Sequence, residues 1–143
     1  MTMDLGTIGR VWLPLVLGSV ATGAIFHSAP GPHGPARLTG LLLSLIGLAG
    51  VIVSRYTLGR SFSIAPKATA LVTNGIYSRI RNPIYVSGMF FIGGAILMMG
   101  QPVGLVIFLV LIPLQIIRAR REAAVLEARF GDEYREYRKR TWF

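Results

Sequence analysis

The sequence predicts an all-α protein that crosses a membrane about four times. Of its 143 residues, 52% are hydrophobic and only 15% are charged, whereas soluble domains carry charge on about a quarter of their residues. After Asp4 the next acidic residue is Glu122. Because lipid leaves no partner for exposed backbone groups, the apolar stretches between these two residues must be helical. The length predicts one domain, residues 1–143.

Four apolar segments are the predicted spans, at residues 9–27, 38–57, 83–99 and 102–118. Each is close to the roughly 20 residues that a helix needs to cross a hydrocarbon core about 30 Å thick. The last two are short, which predicts thin or tilted spans. A tight Met-Gly-Gln-Pro turn at residues 99–102 joins them.

The first segment has two further properties. It resembles a signal peptide in position, but its apolar run is long and its basic flank is only Arg10, which favours a retained span. Small residues recur in it at four-residue spacing, as Gly18 with Thr22 and Ser19 with Gly23. Such spacing predicts close helix packing in lipid.

Lysine and arginine are concentrated in the loop after the second span and in the C-terminal tail. The loop holds Arg60, Lys67, Arg79 and Arg81, and Arg55 lies near the end of the second span. The tail holds Arg118, Arg120, Arg121, Arg129, Arg135, Arg138, Lys139 and Arg140. The positive-inside rule places both termini and this loop in the cytoplasm. The net charge of +9 is thereby attributed to topology and to attraction of anionic membrane lipids, with no nucleic-acid partner expected.

The sequence does not predict a metal site. It contains no cysteine, and its two histidines, His27 and His33, lie in a loop on the far side of the membrane with no carboxylate nearby. Two imidazoles alone make a poor ligand set.

The first segment that could take part in binding or catalysis surrounds the start of the third span. Asn82 is the predicted N-cap and Pro83 the first helical residue. Helical spacing places Arg81 and Tyr85 on one side, with Gly88 one turn later leaving room for a ligand or another helix. Alternatively, these residues have only structural roles: Tyr85 lies at the membrane interface, Arg81 extends its charged end to the headgroups, and Gly88 allows close helix packing.

The second such segment continues the fourth span into an amphipathic C-terminal helix on the cytoplasmic side. Arg118 and Glu122 lie four residues apart on one face, and a stripe follows at Leu126, Phe130, Tyr134 and Tyr137. The alternative is a helix that lies on the headgroups, with Glu122 paired to Arg118. An ionisable residue next to the membrane is nevertheless a functional candidate.

The two segments carry an ordered series of residues: Leu58-Gly59-Arg60, Phe62-Ser63, Leu71-Val72, Gly75, Tyr77, Arg81, Pro83, Tyr85, Gly88, Arg118, Glu122, Leu126, Phe130, Gly131, Tyr134 and Tyr137. Over about residues 55–137 this series resembles the isoprenylcysteine carboxyl methyltransferase and phospholipid methyltransferase families of membrane enzymes. Asn82 stands where these families often have histidine, and Ala123 where they often have a second glutamate. Roles that depend on those two groups are open here.

The resemblance implies S-adenosylmethionine as the cofactor, bound at the cytoplasmic membrane boundary. The cofactor-binding residues that it implies are Leu71, Gly75, Tyr77, Arg81, Asn82, Pro83, Tyr85, Gly88 and Glu122, and the catalytic residues are Arg118 and Glu122. A sulfonium cation is compatible with tyrosine faces and a carboxylate. The chain lacks the glycine-rich strand–turn–helix pattern of a Rossmann site, so a membrane-boundary pocket must serve.

The expected methyl acceptor is a lipophilic small molecule or a lipidated substrate. A carboxylate acceptor is favoured, since it is already ionised at pH 7 and needs only a cationic clamp from Arg118 or Arg81. A phospholipid or other amine is the alternative, with Glu122 accepting the proton. The expected location is a bacterial inner membrane, or the endoplasmic reticulum in a eukaryote.

Two functions of other classes also remain. An NADPH-dependent sterol-type reductase has a related membrane architecture, but its Pro-Asn-Tyr and Gly-Glu motifs are absent from residues 83–88. A non-enzymatic membrane adaptor is the other alternative. Binding of S-adenosylhomocysteine rather than NADPH would discriminate among the three.

Overall fold

The fold is predominantly helical in the part of the chain that the computed structural model describes, residues 16–24, 27–28, 34–58, 70–100 and 102–143. Residues 16–24 form α1, and the later helices are α2 (Pro35–Leu58), α3 (Pro83–Met98), α4 (Phe108–Phe130) and α5 (Asp132–Arg140). Short 3-10 helices cover Gly75–Ser78 and Pro102–Ile107. The predicted all-α class is therefore confirmed.

Within the described residues, two helical stretches are long and apolar enough to cross a membrane: α2, with 24 residues, and Val103–Phe130, with 28 residues. Helix α3 is apolar but has only 16 residues, about 24 Å at the rise of an α-helix. This agrees with the expectation of a short third span. Part of the first predicted span lies outside the described residues, so the number of four spans stays a prediction.

Helices α2 and α3 pack so closely that their backbones touch. A Cβ added to Gly40 would lie 2.7 Å from the carbonyl oxygen of Gly94, and one added to Gly47 would overlap the backbone nitrogen of Phe91. The buried hydroxyl of Ser44 donates a 3.0 Å hydrogen bond to the Phe91 carbonyl. Small residues and an interhelical hydrogen bond stabilise helix pairs in lipid, where no hydrophobic effect drives association.

Helix α1 packs on α2 through one of its two predicted small-residue pairs. A Cβ on Gly18 would lie 2.6 Å from Cδ1 of Leu48, and Thr22 is buried, with its hydroxyl donating to the Gly18 carbonyl at 2.8 Å. The prediction for Ser19 and Gly23 is wrong within the described ranges. Both are exposed, and a Cβ on Gly23 would meet nothing within 4 Å.

Helix α4 stands apart from this packed pair. None of its residues is buried, and large apolar side chains such as Leu109, Val110 and Leu114 are exposed. An exposed apolar surface of this extent is unfavourable in water, but hydrocarbon solvates it. The helix is continuous past the predicted membrane boundary to Phe130, as expected.

Gly131 ends α4 and redirects the chain. Its φ is +51°, in the left-handed region that glycine enters without penalty. The predicted apolar stripe therefore does not continue along one straight helix. Instead α5 turns back, and its Tyr134 and Tyr137 are buried, with 2% and 5% of their surfaces exposed.

Candidate active site

The loop before α3 folds back against the end of α2. Gly75 has a φ of +56°, and a Cβ there would lie 3.1 Å from Cγ2 of Thr57. Glycine is therefore required at this position by backbone conformation and close approach. The 3-10 turn that follows places Tyr77 in the interior, while Leu71, at the start of the loop, is half-buried.

Tyr77 and Tyr137 connect this loop to α5. The Tyr137 hydroxyl donates a 2.8 Å hydrogen bond to the Tyr77 carbonyl. Burial, and then the Tyr134 ring nearby, raise the pKa of Tyr137 to about 12. Burial and the charge of Glu122 raise the pKa of Tyr77 above its ordinary value. Both phenols are therefore neutral donors at physiological pH.

The residues after α5 pair with the residues before α3. Trp142 and Ile80 form a parallel bridge, in which the Trp142 amide donates to the Arg79 carbonyl at 3.0 Å and its carbonyl accepts from Arg81 at 3.2 Å. The Phe143 carbonyl accepts from the Asn82 amide at 3.0 Å. Two segments far apart in sequence are thus joined by main-chain hydrogen bonds.

Helix α3 begins as predicted, with Asn82 at the N-cap position and Pro83 as the first helical residue. The side chain of Asn82 makes no capping hydrogen bond. Its carbonyl instead accepts from the amides of Tyr85 (3.1 Å) and Val86 (3.3 Å). Pro83 is fully buried, so it anchors the helix start within the fold.

Tyr85 and Glu122 join the two predicted segments. The Tyr85 hydroxyl donates a 2.8 Å hydrogen bond to Oε2 of Glu122, and the Arg118 guanidinium carbon lies 5.9 Å from the centre of the Tyr85 ring. That separation is within the range of a cation–π contact. Since the Glu122 charge also acts on Tyr77, the side chains of Tyr77, Tyr85, Arg118 and Glu122 form one cluster.

Arg81 and Gly88 lie beside this cluster. The Nε of Arg81 is buried and has no hydrogen-bond partner among the described residues. The positive charge of Arg81 acts to lower the pKa of Tyr137. A Cβ on Gly88 would meet nothing within 4 Å, so the predicted open space is present. Residues 59–63, which carry another part of the motif, lie outside the described residues, as does His33.

An apolar cavity of about 410 Å³ opens beside Tyr85 and separates α3 from α4. Apart from Tyr85 and Gln115, the described residues that line it are apolar. They include Met89, Phe90 and Leu97 of α3, Phe108, Ile112 and Ile116 of α4, and Phe143. Trp142, Phe143 and this cavity are not predicted by the sequence, since no spacing pattern shows that α4 stands away from α3.

Comparison with known sequences identifies the family. The sequence model described as phospholipid methyltransferase matches residues 36–133, which include the clustered Tyr77, Tyr85, Arg118 and Glu122. The chain belongs to the phospholipid methyltransferase family. The resemblance predicted from the motif residues is confirmed, and this family is favoured over the reductase and adaptor alternatives.

The chain is also similar to a curated methyltransferase. The protein-S-isoprenylcysteine O-methyltransferase of Schizosaccharomyces pombe is 39% identical to this family member over 89 residues. Those residues are 58% of the chain but only 38% of the yeast protein, so the chain matches well under half the length of that relative. No solved structure matches the chain significantly.

Proposed function

We propose that the protein transfers a methyl group from S-adenosylmethionine to a lipophilic acceptor at the cytoplasmic membrane boundary. The observation that carries the proposal is the hydrogen bond from Tyr85 to Glu122. It joins the two blocks of the family motif at one point, beside the mouth of an apolar cavity. A polar cluster next to an apolar volume suits a reaction between a water-soluble donor and a lipid-like acceptor.

The residues of the cluster fit a cationic cofactor. S-adenosylmethionine supplies an electrophilic methyl group on a sulfonium. The Glu122 carboxylate and the Tyr85 ring are groups that attract a cation, and the open space beside Gly88 leaves room for a bulky ligand. The buried Nε of Arg81 is a donor without a partner among the described residues, which a carboxylate would satisfy. We assign cofactor binding to these residues together with Leu71, Gly75, Tyr77, Asn82 and Pro83.

The acceptor head group is assigned to Arg118. A carboxylate acceptor is ionised at neutral pH and requires no general base. The Arg118 guanidinium, held near the Tyr85 ring, can bind it in a bidentate manner. Alignment of nucleophile and methyl group within a site that excludes water supplies most of the rate of such a displacement.

A phospholipid amine is the second candidate acceptor, favoured by the description of the matching family. An amine gives up a proton when it is methylated, and Glu122 is the group placed to accept it. The Tyr85 hydroxyl donates to Oε2 of Glu122, so we assign the proton to Oε1.

The acceptor tail is assigned to the apolar cavity between α3 and α4. The exposed apolar surface of α4 faces hydrocarbon when the chain is in a bilayer, so a tail can enter sideways from the membrane. The cofactor enters from the cytoplasm, where we also place both chain termini. The membrane is a bacterial inner membrane, or the endoplasmic reticulum of a eukaryote.

Transfer of a labelled methyl group tests the proposal. Purified protein in nanodiscs is mixed with methyl-labelled S-adenosylmethionine and either an S-prenylated N-acetylcysteine or phosphatidylethanolamine. We expect label in the prenylcysteine ester, or in the phospholipid if the amine alternative holds. Titration with S-adenosylhomocysteine and NADPH accompanies it. Saturable NADPH binding without S-adenosylhomocysteine binding would refute a methyltransferase function.

A further inference from the structure

The side chain of Phe143 forms part of the cavity wall at the end where the polar cluster lies. It lines the cavity together with Tyr85, whose hydroxyl is hydrogen-bonded to Glu122. Phe143 is partly covered, with 37% of its surface exposed. If an acceptor tail occupies the cavity, an aromatic ring at this point would face the part of the tail nearest to the head group.

Main-chain contacts hold Phe143 there. Its carbonyl accepts from the Asn82 amide at 3.0 Å, and the adjacent Trp142 bonds to both Arg79 and Arg81. Its φ of +42° lies in the left-handed region that non-glycine residues seldom adopt. Because these hydrogen bonds use backbone atoms only, the side chain at 143 can change while the bridge stays in place.

We infer that Phe143 determines acceptor specificity, by limiting the width of the cavity next to the head group. The inference rests on the proposed function, since it assigns the cavity to the acceptor tail. The ring admits a linear chain past Tyr85 and excludes a tail that is branched close to the head group. The more distant wall, at Leu97 and Phe108, limits length rather than width.

Substitutions that change the side-chain volume at position 143 test whether this residue limits the width of the cavity rather than its length. Phe143→Ala enlarges the cavity mouth, and Phe143→Trp reduces it, whereas Phe143→Leu keeps an apolar side chain of intermediate size. Leu109→Ala is the matched control, because Leu109 is 75% exposed on α4 and is not among the residues that line the cavity.

The experiment uses two series of N-acetylcysteine thioethers with equal carbon number. One series is linear, and the other is branched at the carbon next to sulfur. The ratio of kcat/KM for branched over linear acceptors should rise about tenfold in Phe143→Ala and fall in Phe143→Trp. A tenfold change is the size of effect that one misfitting methylene has in an apolar pocket. The change should be in KM, with S-adenosylhomocysteine affinity unaltered. Leu109→Ala should keep the parent ratio.

A binding measurement distinguishes failure of this inference from failure of the proposed function. Both thioether series are used to displace a fluorescent fatty acid from the parent and the variants, without cofactor. If the parent transfers no methyl group but Phe143→Ala binds branched tails relatively more tightly, the proposed reaction is wrong and the role of Phe143 holds. If neither the kcat/KM ratio nor the displacement ratio differs between the parent and the three Phe143 variants, the inference is overturned.

Discussion

The Tyr85 phenol donates a 2.8 Å hydrogen bond to Glu122, a residue 37 positions further along the chain. Tyr85 is in the first turn of α3, and Glu122 lies well inside α4. Since a cavity lies between much of the rest of these two helices, this bond and the neighbouring contact of Arg118 with the Tyr85 ring connect them. It sets the position of the carboxylate that we assign to the sulfonium.

Loss of this bond should weaken cofactor binding more than it weakens folding. Tyr85→Ala and Glu122→Ala should each reduce S-adenosylmethionine affinity or abolish turnover, while the protein still inserts and folds. Tyr85→Phe keeps the ring and removes only the hydroxyl. A hydrogen bond to a charged group contributes about 1.5–3 kcal/mol, so we expect a roughly 10- to 150-fold loss in kcat/KM.

Glu133→Ala is the control for these variants, since Glu133 is an exposed carboxylate on α5. Binding of S-adenosylhomocysteine is measured by calorimetry and turnover by methyl transfer. Parental affinity and turnover in both Tyr85→Ala and Glu122→Ala would show that the site lies elsewhere.

Much of the site could be predicted from local sequence, because helix signals and charge asymmetry are local properties. The start of α3 at Pro83 follows from such signals, whereas the pairing of the Arg81–Tyr85 segment with Glu122 was expected only from the family resemblance. The role of Gly75 was only partly predicted: its position in the motif was recognised, but its left-handed φ and its contact with Thr57 depend on how the loop returns to α2.

The remaining features depend on tertiary structure. The bridge between Trp142 and Ile80 joins segments whose sequences carry no pairing signal. The small residues of α2, such as Gly40 and Gly47, occur among many other apolar residues, so their shared face was not identified. Gly18 and Gly23 were equivalent by spacing, and only the orientation of α1 shows that Gly18 packs and Gly23 does not.

The α2–α3 contact gives a stability prediction. In Gly47→Ala the new Cβ would overlap backbone atoms of Ser87 and Phe91, which cannot move without separating the helices. Overpacking of this kind costs about 1–3 kcal/mol. Thermal unfolding in detergent, followed by circular dichroism, should show a lower midpoint.

Gly23→Ala is the matched control for Gly47→Ala. The new Cβ there meets nothing within 4 Å, and alanine is favoured over glycine inside a helix by about 0.5–1 kcal/mol. Its midpoint should equal or exceed that of the parent. A Gly47→Ala midpoint as high as that of Gly23→Ala would contradict close packing of α2 on α3.

The Tyr137 phenol should make stability sensitive to alkaline pH. Its pKa is raised from 10.0 to about 12 in the folded protein. A raised folded-state pKa stabilises the protein fully below pH 10, and this contribution is lost as the pH rises towards 12. Tyr137→Phe removes the titrating group, so its stability should fall less steeply over that interval.

At neutral pH the same variant should be less stable than the parent, by about 1 kcal/mol, because the Tyr77 carbonyl loses its hydrogen bond. Unfolding midpoints of both proteins at pH 8, 10 and 11.5 test the two effects together. Identical slopes above pH 10 would show that Tyr137 does not carry the alkaline sensitivity.

The predicted topology places the C-terminal tail in the cytoplasm and the loop before α2 on the other side. The chain contains no cysteine, so single substitutions at His33 and Glu133 give unique labelling sites. In sealed, oriented vesicles an impermeant maleimide should label His33→Cys and Glu133→Cys from opposite sides. Labelling of both from the same side would refute the topology.

Lateral entry of the acceptor predicts how catalytic efficiency depends on tail length. In the proposed arrangement, water lies on one side of the polar cluster and acyl chains on the other, and the polar cofactor comes from the water. The apolar cavity beside Tyr85 is then left for the tail. Burial of each methylene contributes roughly 0.8 kcal/mol, which can be used to align the nucleophile in the transition state.

A series of linear acceptors with one head group tests this. With S-alkyl N-acetylcysteines of increasing length, kcat/KM should rise steeply, by up to roughly fourfold per methylene, until the cavity is filled. The increase should then level off, because carbons beyond the filled cavity make no further contacts with the protein. Leu97→Ala, at the far wall, should shift the plateau to longer tails. A flat response, or a preference for the shortest water-soluble acceptor, would exclude entry from the bilayer, because a soluble acceptor gains nothing from the cavity.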